Sequence, residues 1–199
     1  MNCNKYYKML GLQKSDRMAI DTLLHFFDSY VVLAEPMVGQ LKITAKPYAV
    51  IEGIYSISQK ESDNVEKFPN RTILYAGGIL PTEEVHLLQR QSTLLVNPRH
   101  STEEFTKYSF PSKTIEYMAS GTPVLMSPLP SMPNEYNEYL FLFEDETIAG
   151  MSAMLDYILS LKEQELNQKG RMAREFIVNN KNSKEQVHRI VQLIEEISE

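Results

Sequence analysis

Ser109-Phe110-Pro111-Ser112-Lys113-Thr114-Ile115-Glu116-Tyr117-Met118-Ala119-Ser120-Gly121-Thr122-Pro123-Val124-Leu125-Met126 carries a helix, its stop signal and a strand in one unbroken stretch. Ser112 to Ser120 predicts the helix, and Gly121 closes it, because a residue without a Cβ tolerates the left-handed backbone found there. Pro123-Val124-Leu125-Met126 is apolar without alternation. Thr93-Leu94-Leu95-Val96, upstream, has the same character and ends at Asn97-Pro98-Arg99, where a polar loop begins. Continuous apolar strands are buried on both faces, the mark of a parallel sheet between helices.

Working outward, Tyr30-Val31-Val32-Leu33, Tyr48-Ala49-Val50-Ile51 and Thr72-Ile73-Leu74-Tyr75-Ala76 repeat that apolar character, and Leu140-Phe141-Leu142-Phe143 fits a short edge strand. Helical patterns fill the gaps. Asp21 to Phe27 is one; Thr82 to Gln91 is another, with Thr82 as N-cap and Glu83 and Glu84 where the helix dipole favours negative charge. From Glu146 the chain reads as helical to its end, with a break near Asn179-Asn180. Val187, Ile190, Val191, Ile194 and Ile197 then form a one-sided apolar stripe that calls for a packing partner. Residues 56–70 read as a polar surface connection, and no internal repeat is visible. Short strand runs alternating with helices give an α/β fold with a mostly parallel sheet.

Composition narrows the function classes. The 199 residues hold 20 basic and 26 acidic side chains, a formal charge of −6, which argues against the basic face that nucleic-acid binding needs. Cys3 is the only cysteine, so neither an internal disulfide nor a cysteine-rich zinc site can form. No apolar run reaches the ~20 residues of a membrane-spanning helix. Of His25, His86, His100 and His188, none is paired at metal-ligand spacing; His100 with Glu103 comes nearest. His86 and His188 read as helix-surface residues, and Met118, Met126 and Met154 as core packing.

In a parallel sheet, ligands sit beyond the carboxyl ends of strands, where loops meet helix N-termini. Ser109-Phe110-Pro111-Ser112-Lys113 occupies such a point. The helix start offers free backbone N–H groups and partial positive charge, and Lys113 adds a full charge suited to a diphosphate. Glu116, about one turn further in, is placed to accept two hydrogen bonds from a vicinal diol such as a ribose. The plainer alternative is that Ser112 and Lys113 cap the helix while Glu116 complements its dipole.

The stretch from Ser109 to Val124 closely resembles the donor-site signature of family 4 glycosyltransferases, the glycosyl transferase group 1 domain. Thr72-Ile73-Leu74-Tyr75-Ala76-Gly77-Gly78 is similar to the strand and Gly-rich turn that open the donor domain in that family. Gly78-Ile79-Leu80-Pro81-Thr82-Glu83-Glu84-Val85 is similar to its loop and helix beside the nucleotide base, and Leu95-Val96-Asn97-Pro98-Arg99 to the strand before the signature. The resemblance runs from about residue 28 to residue 197. It implies the Rossmann-like donor half of a GT-B enzyme that transfers sugar with retention from a nucleotide-diphosphate donor to a saccharide or lipid-linked acceptor. The subgroup is common in bacterial capsule and exopolysaccharide assembly. By position it assigns Glu116 to the donor ribose, Lys113 and Ser112 to the diphosphate, and Gly78, Ile79 and Leu80 to the base. It implies no cofactor and no metal, and a cytoplasmic or membrane-peripheral location.

The sequence also departs from the family pattern. Tyr108 stands eight residues before Glu116, where the family places a glutamate near the transferred sugar; Glu103 and Glu104 lie nearby. The Gly-rich turn and the base loop share Gly78, so intervening strand–helix units and the basic residues for the leaving diphosphate have no counterpart. The resulting division is residues 1–55 as the tail of an acceptor domain and its crossover, 56–182 as a shortened donor domain, and 183–199 as a C-terminal amphipathic helix. Such a chain is expected to be incomplete by itself and to need a separate acceptor-domain chain or self-association. A non-catalytic nucleotide-sugar binding module is the alternative.

Overall fold

The computed structural model describes residues 24–55, 66–67 and 80–198. The expected strand at Thr72–Ala76 and the turn through Gly77, Gly78 and Ile79 lie outside the described residues, as does most of the 56–70 connection. Among the described residues, two parallel sheets organise the fold. In the first, a 3-10 turn at Leu24–Phe26 leads into β1 (Tyr30–Val32), α1 (Pro36–Leu41) crosses over, and β2 (Tyr48–Val50) pairs with β1 from Tyr30↔Tyr48 to Val32↔Val50. Val32, Val38 and Ile43 form its small core.

The second sheet follows α2 (Thr82–Gln91) and contains β3 (Leu95–Asn97), β4 (Val124–Met126) and β5 (Phe141–Leu142), in that spatial order and all parallel. Between β3 and β4 come a 3-10 turn at Glu104–Lys107 and α3 (Ser112–Ala119); a further turn at Asn134–Tyr139 precedes β5. Val124, Leu125 and Met126 are fully buried, as the unalternated strand predicts. The strand at Leu140–Phe143 is also present, trimmed to its two central residues.

Three helices complete the chain: α4 (Ile148–Ser160), α5 (Glu163–Asn180) and α6 (Ser183–Ser198). The expected continuous helix therefore breaks once more than expected, at Leu161-Lys162, where Glu165 folds back onto the Lys162 N–H as a capping box. Thr82 opens α2 as its first helical residue, with Pro81 in the capping position.

Two glycines hold α5 against α3. Gly121 ends the α3 segment at φ 78°, the left-handed conformation expected of it. Gly170, inside α5, sits so close to the Gly121 carbonyl that any Cβ there would overlap it. The absence of a side chain is what allows α5 to bring Ala173, Phe176 and Ile177 onto Met118, Val124 and Tyr136, the centre of the main core.

The two sheets are joined by a buried ionic contact. Glu52, just after β2, pairs with Lys181 at the α5–α6 junction, and both side chains are at most 2% exposed. The Tyr55 N–H donates to the Lys181 carbonyl at 2.8 Å, and Lys181 Nζ lies 5.1 Å from the Tyr136 ring centroid. On α6, Gln186 and Leu193 face inward, while Val187, Val191 and Ile194 of the predicted stripe remain exposed.

Candidate functional site

Ser112 and Lys113 are both exposed at the start of α3, beyond the carboxyl end of β3, where the sequence places an anion site. The loop that delivers them is fixed from within. The buried Thr106 hydroxyl donates to the Ser101 carbonyl at 3.0 Å, the Arg99 guanidinium lies 5.0 Å from the Phe105 ring centroid, and Ser131 donates to the Ser109 carbonyl at 3.0 Å. Tyr108, at the position of the expected carboxylate, reaches out of the loop and donates to Gln40 Oε1 at 3.4 Å.

Glu116 is half-buried on the face of α3 toward α2, where it accepts a hydrogen bond from Gln89 Nε2. Gln89 is itself pinned, because the Thr122 hydroxyl donates to its carbonyl at 2.8 Å. Between the helices is a cavity of about 30 Å³ lined by Tyr55, His86, Gln89, Arg90, Glu116 and Ser120. That is the space of a single water. A ribose reaching Glu116 must therefore displace the Gln89 amide. Ser112, Lys113 and the half-buried Leu80 do not line this cavity, and Gly78 and Ile79 lie outside the described residues. His86, expected on a helix surface, is half-buried here instead; His188 is exposed as expected.

A second polar cluster occupies the carboxyl edge of the second sheet. Glu146, after β5, accepts from the Ser101 backbone N–H at 3.2 and 3.1 Å and contacts His100 Nδ1 at 3.3 Å. Burial alone would raise the Glu146 carboxyl pKa, but hydrogen bonds from Ser101 and His100 outweigh burial and hold it below the ordinary value. His100 is thus oriented by Glu146. Its partner lies 46 residues away in sequence, which no local pattern reveals. Among the described residues, no group of three or more His, Cys, Asp or Glu side chains is placed to hold a metal ion.

A family model described as glycosyl transferase-like matches residues 56–194, most of the chain. The chain belongs to this glycosyl transferase-like family. No curated protein matches it.

For a glycosyl transferase-like domain the geometry has a plain chemical reading. A sugar donor and an acceptor are the substrates of such a family, and the chain leaving the carboxyl ends of β3 and β5 carries the exposed Lys113 at the start of α3 and the His100–Glu146 contact. Among the described residues no helix is long and apolar enough to cross a membrane.

Proposed function

We propose that this domain is the donor-binding half of a retaining GT-B glycosyltransferase that uses a nucleotide-diphosphate sugar in polysaccharide or glycoconjugate biosynthesis. Residues 56–182 take the nucleotide sugar, residues 1–55 belong to the acceptor side and its crossover, and residues 183–199 form the closing helix. Ser112 and Lys113 meet the diphosphate, Glu116 the ribose, and Gly78, Ile79 and Leu80 the base. The observation that carries this reading is the family match over residues 56–194, which includes the whole α3 segment with its exposed Lys113 and half-buried Glu116.

The test is nucleotide binding measured by thermal shift and calorimetry. UDP or GDP stabilises the wild type, and Glu116→Ala weakens that binding roughly 10- to 150-fold, the worth of a hydrogen bond to a charged group at ~1.5–3 kcal/mol. Equal affinity in the two proteins places the ribose elsewhere. A second reading, a nucleotide-sugar binding module without turnover, is favoured by Tyr108, whose hydroxyl bonds Gln40 and supplies no carboxylate near the sugar. Transfer of radiolabelled sugar by the purified chain would rule that second reading out.

A further inference from the structure

The contact between Gln89 and Glu116 gives the carboxylate what a ligand hydroxyl would give it. Gln89 Nε2 donates to Glu116 Oε1 from a residue that is 6% exposed. A carboxamide N–H is a neutral donor, as a hydroxyl is, so the two compete for one carboxylate oxygen. The space beside the pair, about 30 Å³, holds a water and nothing larger. A ligand entering from this side has to take the place of Gln89.

The backbone behind Gln89 is held firmly. The buried Thr122 hydroxyl donates to the Gln89 carbonyl at 2.8 Å. Lys67 Nζ donates to the Thr122 hydroxyl oxygen at 3.2 Å and to the Ser92 carbonyl at 2.8 Å. The Ser92 hydroxyl in turn donates to the Leu88 carbonyl at 2.7 Å. These bonds tie the carboxyl end of α2 to the turn between α3 and β4. The part left to move is the Gln89 side chain, which changes rotamer without disturbing that anchor.

We propose that Gln89 is an intramolecular competitor that closes Glu116 in the free protein and turns away when a ligand binds. The inference rests on Glu116 as a nucleotide contact and adds the regulation of that site. A ligand meets only the fraction of molecules in which Gln89 has turned away, and its apparent Kd is the intrinsic Kd divided by that fraction. With Glu116 open about one time in ten, binding is about tenfold weaker than the open site allows. The exchange is also selective. A lone hydroxyl returns one hydrogen bond for the one lost, whereas a vicinal diol returns two.

Nitrogen-edited NMR reads the contact without any ligand. The Gln89 side-chain amide, assigned by its loss in the Gln89 variants, resonates away from exposed glutamine amides in the wild type. It moves toward them in Glu116→Ala and on saturation with UDP or GDP. Calorimetry is the second arm: Gln89→Ala and Gln89→Met, which lack the donor, bind UDP or GDP roughly tenfold tighter than the wild type. Gln89→Met keeps the side-chain length, so it decides if Gln89→Ala fails to fold. An amide unmoved by Glu116→Ala or by bound nucleotide overturns the competitor and leaves the donor reading standing. Gln89 variants that bind no tighter than the wild type do the same, and a weaker affinity would make Gln89 a positioning residue. Failure of the wild type and both variants to bind either nucleotide defeats the donor reading, and the competitor with it.

Discussion

Lys113 carries its charge on an exposed side chain at the first turn of α3. A point charge there discriminates only ligands that bear phosphate. Lys113→Ala therefore reduces UDP binding strongly and uridine binding little, as read by calorimetry on both ligands; a uniform loss would assign Lys113 to folding of the helix start. Glu146 leads to a pH dependence. Its folded pKa lies below the ordinary 4.5, so the stability it contributes is complete above that value. That contribution disappears as pH falls from 4.5 through the folded value. Acid unfolding of Glu146→Gln should lack this component, giving a shallower fall in stability below pH 4.5 than the wild type. Identical acid limbs would show that the Ser101 and His100 contacts do not persist in solution.

At the scale of elements, the α3–α5 contact depends on two backbones meeting with nothing between them. Gly170→Ala adds a Cβ where the Gly121 carbonyl stands, and such overpacking costs ~1–3 kcal/mol. A urea titration reads this as a lower midpoint, and a helix-propensity gain in its place would mean α5 sits further out than described. Gly121 and the strand after it were legible in the sequence, because a stop glycine and an unalternated apolar run are local signals. The break at Leu161-Lys162 was not, since it uses neither glycine nor proline and depends on Glu165 returning to cap. The apolar stripe of α6 was legible as a stripe. Its outward orientation was not, because burial of Gln186 and Leu193 is decided by the elements beneath them and not by their own hydropathy. The candidate site divides in the same way. Lys113 and Glu116 could be read from helix position, whereas the Gln89 amide that closes over Glu116 comes from another helix.

Across the whole molecule, the two sheets communicate through Glu52 and Lys181, separated by 129 residues in sequence. Neither stands out locally, and a lysine after a helix ordinarily reads as solvated surface. Lys181→Met removes the cation and leaves a carboxylate uncompensated, which costs ~3–5 kcal/mol. Adding Glu52→Gln to that variant recovers much of the loss, since the penalty belongs to the unpaired charge. Chemical denaturation of the single and double variants measures both; a single-variant loss under ~1 kcal/mol would reduce the contact to the worth of a surface pair. The same burial turns Lys181 into a reporter. An amine-modifying reagent meets Lys113 at once, but it reaches Lys181 only when the two sheets part, because 2% of that side chain is accessible. The pace at which Lys181 is labelled in the intact protein is thus a direct clock for separation of the two halves.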